Sequence, residues 1–320
     1  MKNKPIILIA GEPDSIFFEI FFKAMKKKKI KSPLVLICDK KILINQMKFF
    51  DFKKKLEILD TKNIFSKKLN NKNLNIININ FKNSSSKILR RKLINNYLEN
   101  SFKLAFKLIS DGLTNKLING PINKAFLNKK YLGITEYISN NFKKKNTGML
   151  IYNKKLSVCP LTTHLPLKHV SKNITKKIVS EKIQLIDNFF KKYIKTKAKI
   201  GVTGLNPHCE SISSFNEDEK IIKPVIKIKK KQGINVEGPY SADTIFLKAN
   251  RKNFNVILGM YHDQVLAPIK TLYEYDAINI TMGLPILRVT PDHGPNVKMI
   301  GKNKSSPLSL IQALNFLDNK

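Results

Sequence analysis

Residues 256–262 read Val-Ile-Leu-Gly-Met-Tyr-His, an apolar run of strand length that ends on an imidazole. The pattern occurs twice more: VCPLTTH ends at His164 and IGVTGLNPH ends at His208. Short β-rich runs of this kind alternate with longer amphipathic stretches along the chain. That alternation predicts an α/β fold with mixed, largely parallel sheets. In open α/β sheets, ligands bind outside the carboxyl ends of strands, where distant loops converge. One histidine in a loop is usually structural. Three in the same setting predict a His₃ site for a divalent cation, because neutral imidazole is a common ligand of such ions.

Working outward, strands are expected at Ile6–Ala10, Leu34–Cys38, Leu74–Ile79, Leu117–Gly120, Met149–Tyr152, Leu156–Pro160, Ile200–Gly204, Val256–Met260 and Ile278–Met282. Helices are expected over 14–28, 88–111, 170–193, 217–231 and 307–317. The runs at 149–160, separated by Asn-Lys-Lys, predict a hairpin. The Asn/Lys/Ser-rich stretch 61–87 reads as a loop-laden insertion around one strand. The opening MKNKPIILIAGEPDSIFFEIFF resembles a signal peptide in outline, but Glu12 and Asp14 interrupt it and no small-residue cleavage site follows.

At 320 residues the chain is long enough for two packed domains, and 42% apolar residues suffice for a core. No apolar stretch approaches the ~20 residues needed to span a bilayer. Cys38, Cys159 and Cys209 are far apart and form no CxxC pair, which excludes a disulfide framework and points to the cytoplasm. Cys209, beside His208, reads as a small filler, with a thiolate nucleophile as the alternative. The net charge of +36 suggests a nucleic-acid partner, yet only Arg90, Arg91, Arg251 and Arg288 are arginines. Nucleic-acid sites favour arginine for bidentate contacts, and the lysine runs are scattered. No specific nucleic acid and no membrane partner are expected.

Other polar residues share the histidines' setting. Asn119-Gly-Pro-Ile-Asn-Lys124 follows a strand and turns Lys124 toward the same edge. Asp243, in Gly238-Pro-Tyr-Ser-Ala-Asp-Thr244, either caps a helix or serves the site. Asp263 beside His262 has the place of a residue that orients a ligand. Lys270, Asn279 and Arg288 recur at nine-residue intervals and combine an ammonium, an amide and a forked cation, a set suited to clamping phosphate or carboxylate.

Together these segments resemble the 4-hydroxythreonine-4-phosphate dehydrogenases of vitamin B6 synthesis. The match runs through GEP at 11–13, GPINK at 120–124, TTHLPL around His164, GLNPH around His208, SADTIF around Asp243, MYHDQ around His262, NIT-GLP around Asn279 and the Arg288–DHG stretch. The resemblance implies a two-domain fold like that of isocitrate and isopropylmalate dehydrogenases, with residues 1–125 and about 275–320 in one domain, 126–274 in the other and the active site in the cleft. It implies His164, His208 and His262 as ligands of Zn, Mg or Co, in a homodimer whose metal site is shared across the interface. Thr135, Lys270, Asn279 and Arg288 would bind the phosphorylated substrate, with Asp243 or Lys124 as the base. NAD or NADP would bind without a GxGxxG loop. The implied reaction is oxidation of 4-phosphohydroxy-L-threonine to 2-amino-3-oxo-4-phosphooxybutanoate, which decarboxylates to 3-amino-2-oxopropyl phosphate in pyridoxine 5'-phosphate biosynthesis. Alternatives are a dehydrogenase of erythronate or threonate 4-phosphate, a metal-dependent hydrolase and a basic nucleic-acid-binding protein. Three departures stand out: Asp14-Ser-Ile-Phe-Phe-Glu19 replaces small residues after GEP, Ile134 replaces a substrate-contacting histidine, and Cys209–Phe215 replaces a Gly-rich loop.

Overall fold

The structure is a computed structural model that describes residues 4–123, 131, 133–210 and 215–320. The strands are β1 (Ile6–Ile9), β2 (Leu34–Cys38), β3 (Leu56–Ile58), β4 (Leu74–Asn78), β5 (Lys116–Asn119), β6 (Gly148–Tyr152), β7 (Ser157–Thr162), β8 (Ile200–Thr203), β9 (Val236–Tyr240), β10 (Val256–Tyr261), β11 (Ile278–Met282) and β12 (Leu287–Pro291). The longer helices are α1 (Phe17–Lys27), α2 (Lys40–Phe49), α3 (Lys87–Ser110), α4 (Ile134–Asn141), α5 (Lys176–Phe189), α6 (Lys223–Lys231), α7 (His262–Tyr273) and α8 (Leu308–Asp318). The chain divides into two compact units, Met1–Ile134 with Pro285–Lys320, and Thr135–Leu284.

In the first unit the strands run β3-β4-β2-β1-β5-β12, all parallel. Every residue of β1 and β2 is buried, as befits parallel strands covered on both faces. On α1, Phe17, Phe18, Ile20, Phe21 and Phe22 are all buried, each contributing roughly 1.5–3 kcal/mol of transfer free energy. Phe22 stacks on Phe52 with centroids 4.4 Å apart. Two acidic residues after GEP are held locally. Asp14 pairs with Arg90 Nη2 at 2.5 Å. Buried Glu19 accepts from Lys23 Nζ at 2.7 Å and from Ser305 N at 2.6 Å, fastening α1 to the segment before α8.

The stretch 61–87 is loop-laden around one strand, as expected. It delivers β4 into the interior of the sheet, and its asparagines are pins. Asn71 accepts from Leu34 N and donates to Ile30 O and Ser32 O, while Asn75 donates to Leu34 O. Each side-chain amide satisfies backbone groups that would otherwise be left buried and unpaired.

In the second unit the order is β11-β6-β7-β10-β8-β9. β11 and β6 are antiparallel, the β6–β7 hairpin forms as the sequence predicts, and β7, β10, β8 and β9 are mutually parallel. A core of Ile151, Val158, Ile257, Val265 and Ile269 joins this sheet to α7. The helix expected over 170–193 starts later, at Lys176, because Thr175 accepts from Ile178 N and caps it there. Among the described residues no helix is long and apolar enough to cross a membrane.

Candidate active site

The three strands that precede the histidines are neighbours in the second unit, in the order β7-β10-β8, and all are parallel. Their carboxyl ends therefore share one edge, and neighbouring strands lie about 4.8 Å apart. His164 leaves β7, His262 is the first residue of α7 after β10, and His208 follows β8 after a short turn. The His164 and His262 rings stand with centroids 6.0 Å apart. His262 Nδ1 lies 2.6 Å from an Asp263 carboxylate oxygen. That contact engages Nδ1, the arrangement in which a carboxylate orients a metal-binding imidazole.

His208 is exposed, its Nδ1 3.4 Å from Ser241 Oγ. It lines a cavity of about 350 Å³ with Asp243, Tyr261 and Gln264. Asp243 is exposed in the first turn of the short helix Ala242–Ile245, whose N-cap is Ser241. Among the described residues of one chain, no three His, Cys, Asp or Glu side chains converge to hold a metal ion. His164 and His208 both have left-handed backbone, at φ 47° and 53°, a region that β-carbons disfavour and that histidine tolerates better than most residues.

The turn that carries His208 hangs on a carboxylate. Asp218, fully buried, accepts from Leu205 N at 2.7 Å and from Asn206 N and Nδ2 at 3.1 and 2.9 Å. Burial pushes the Cys209 thiol up, and Asp218, Asp243 and Glu210 nearby add to the effect, a setting that disfavours the thiolate. Neither Asp218 nor Gln264 stands out in the sequence as a positioning group, although Gln264 lies within MYHDQ.

Thr135 is buried at the start of α4, its carbonyl accepting from Ser139 Oγ at 2.7 Å. Lys270 lies on α7 and is partly buried. Asn279, on β11 opposite Ile151, has a buried Oδ1 with no hydrogen-bond partner among the described residues. A buried acceptor of this kind takes a donor from an ordered water or from a ligand. Arg288 lies in the first unit, on β12, 1% exposed, and its Nε donates to Asn119 Oδ1 at 2.9 Å. Lys124 lies outside the described residues.

Comparison with known proteins follows these lines. The chain is 40% identical over 224 residues to 4-hydroxythreonine-4-phosphate dehydrogenase of Sulfurihydrogenibium sp. (strain YO3AOP1), covering 68% of this chain and 67% of that one. It is 33% identical over 330 residues to a putative D-threonate 4-phosphate dehydrogenase of Oceanobacillus iheyensis, covering 98% and 97%. The crystal structure of 4-hydroxythreonine-4-phosphate dehydrogenase from Klebsiella pneumoniae superposes with a TM-score of 0.82 at 25% identity, covering 98% and 97% of the two chains. A β-decarboxylating dehydrogenase from Thermococcus kodakarensis shares the fold alone, at a TM-score of 0.51 and 10% identity over 97% of this chain and 81% of that one. The isocitrate/isopropylmalate dehydrogenase-like architecture is thus the fold of this chain. The family model for the pyridoxal phosphate biosynthetic protein PdxA matches residues 29–317, and the chain belongs to that family.

Proposed function

We propose that this chain oxidises 4-phosphohydroxy-L-threonine with NAD or NADP, assisted by Zn, Mg or Co, on the way to pyridoxine 5'-phosphate. The observation that carries this is the delivery of three histidines to one edge by adjacent parallel strands, in a chain matched to the family over residues 29–317. The donor set fits a divalent ion: two imidazoles stand side by side, one with Nδ1 already engaged by a carboxylate. His208 completes the set across the interface of a homodimer, a reading that accommodates the lack of a three-ligand cluster among the described residues of one chain. When bound, the ion acts as a Lewis acid on the carbinol oxygen.

The chain's own groups do the rest. Lys270, Asn279, Arg288 and Thr135 hold the phosphate and fix the reacting carbon. Asp243 accepts the hydroxyl proton, supported by its lining the same cavity as His208; Lys124 is the alternative base. A bound nicotinamide would supply the hydride acceptor for the carbinol carbon, and orientation is what the protein supplies. The product, 2-amino-3-oxo-4-phosphooxybutanoate, is a β-keto acid and loses CO₂ to give 3-amino-2-oxopropyl phosphate.

The test is NADH or NADPH formation by chelator-washed protein as divalent metal is added back. 4-Phosphohydroxy-L-threonine, D-threonate 4-phosphate and erythronate 4-phosphate are compared as substrates. Metal-dependent turnover of the first, lost in His208→Ala with the fold intact, is expected. Higher kcat/KM on a sugar-acid phosphate overturns the substrate, and turnover in chelator-washed His208→Ala equal to wild type overturns the ligand assignment.

A further inference from the structure

We propose that Gln264 is a positioning residue: with Thr203 and Thr162 it ties the carboxyl ends of β7, β10 and β8 together, and so sets the spacing of the histidines that leave them. The inference rests on the metal reading above. The backbone ladder between β10 and β8 ends at the pair Leu258–Val202, while the histidines lie further on. Beyond that pair a side chain takes over. Gln264 Oε1 accepts from Met260 N at 2.7 Å, on β10, and from Thr203 Oγ1 at 2.8 Å, on β8. Its Nε2 donates to Gly204 O at 2.8 Å, the first residue after β8. On the other flank, Thr162 Oγ1 donates from the end of β7 to Met260 O at 2.8 Å. Four hydrogen bonds thus run side by side across three strand ends.

Each bond lies close to a histidine in the chain. Met260 is two residues before His262, Thr162 two before His164, and Gly204 four before His208. Both threonines are buried, so water offers no ready substitute for their partners. The amide is suited to the task because it is acceptor and donor at once. A carboxylate in its place keeps the bonds from Met260 and Thr203 but has no proton for Gly204 O, and an aliphatic side chain makes none of the three. A neutral link also adds no charge beside a cation site. Groups that orient metal ligands from outside the coordination shell typically alter affinity by about 10–100-fold when removed.

The experiment is calorimetric titration of the chelator-washed full chain with Zn²⁺ alone, with circular dichroism and thermal melting on every variant. Wild type binds and His262→Ala does not. Gln264→Leu binds roughly 10–100-fold more weakly at unchanged helix content, Gln264→Glu falls between it and wild type, and Thr203→Val, which removes one donor at constant shape, is several-fold weaker. Wild-type affinity in folded Gln264→Leu overturns the proposal. Should Gln264→Leu fail to fold, unchanged affinity in Thr203→Val overturns it instead. If wild type takes up no Zn²⁺, or His262→Ala binds as wild type does, the metal reading fails and the inference falls with it. That outcome is distinct from loss of the positioning effect alone.

Discussion

Asp218→Ala removes the carboxylate on which the turn before His208 hangs, and its cost can be worked from the geometry. The side chain is fully buried and accepts three hydrogen bonds between 2.7 and 3.1 Å, two from backbone and one from Asn206 Nδ2. Bonds to a charged acceptor contribute a net ~1.5–3 kcal/mol each, so the upper bound is ~9 kcal/mol. Leu205 and Asn206 are only half-buried, and water recovers part of what they lose. The expected loss is therefore about 3–5 kcal/mol, a large share of the ~5–15 kcal/mol that holds a typical protein folded. Asp218→Asn keeps one acceptor oxygen but turns an amide N–H₂ toward a donor, and should cost about half as much. The protein has nine tyrosines and no tryptophan, so urea unfolding is followed by tyrosine fluorescence and far-ultraviolet circular dichroism. With m near 2–3 kcal/mol/M, the alanine variant's midpoint falls by about 1–2 M. A loss below about 1 kcal/mol would refute the assignment of Asp218 as the anchor of this turn.

Co-expressing His164→Ala with His208→Ala tests the shared site: random pairing makes half the dimers mixed, each with one intact site of two, so activity returns to about one quarter of wild type. Activity no higher than in either variant alone places both ligands in one chain. Gly120→Ala should lose about 2 kcal/mol or more in thermal melting, because its β-carbon would lie 2.2 Å from Ala10 O and 2.7 Å from Phe17 Cδ2; a neutral result removes the close approach of those segments. For Asp318, burial alone would raise the carboxyl, but bonds from Lys31 N and Ser32 N and the Lys116 charge outweigh it and hold it below 3.8. Its stabilisation is complete above pH ~4 and is lost as pH falls through the lowered value, so Asp318→Asn should flatten the acid limb of a stability–pH curve. Cys209→Ser should keep turnover within about twofold, since a thiol raised by burial and carboxylates is no nucleophile; loss of activity at unchanged fold would restore that role.

The sequence made the strands that launch the histidines legible because each is an uninterrupted apolar run with a polar end. Helix α3 was equally plain, expected over 88–111 and found at Lys87–Ser110. What stayed hidden was either short or built from distant parts. Strand β3 has three residues, none buried, and so gives no periodic signal. Helix α2 buries only Leu43 and owes its start to Asp39, which accepts from Ile42 N and also from Phe81 N. Helix α7 begins on the residue after β10 and contains Pro268, so its pattern looks like a strand running into a turn. In the site, ligand types can be read from composition and spacing, but their supports cannot. Thr203 and Gln264 meet across 61 residues of chain, and only the adjacency of β8 and β10 explains the contact.

The same adjacency bears on whether the proposed metal edge is built in advance or forms on binding. His164 and His208 are held in left-handed backbone, which costs about 1–2 kcal/mol for each residue with a β-carbon. The four bonds across the strand ends return about 1 kcal/mol each, so the row offsets roughly 2–4 kcal/mol with about 4. Without it, those histidines would relax toward ordinary backbone, and an incoming cation would have to supply the strain from its own binding energy. With it, the strain is already met in the folded chain, and affinity is not spent on rearrangement. On another strand of that unit, the buried Oδ1 of Asn279 has no partner among the described residues and accepts from a water or a ligand donor alike. The row of side-chain bonds at the strand ends therefore favours a proposed metal edge that is set before a cation arrives.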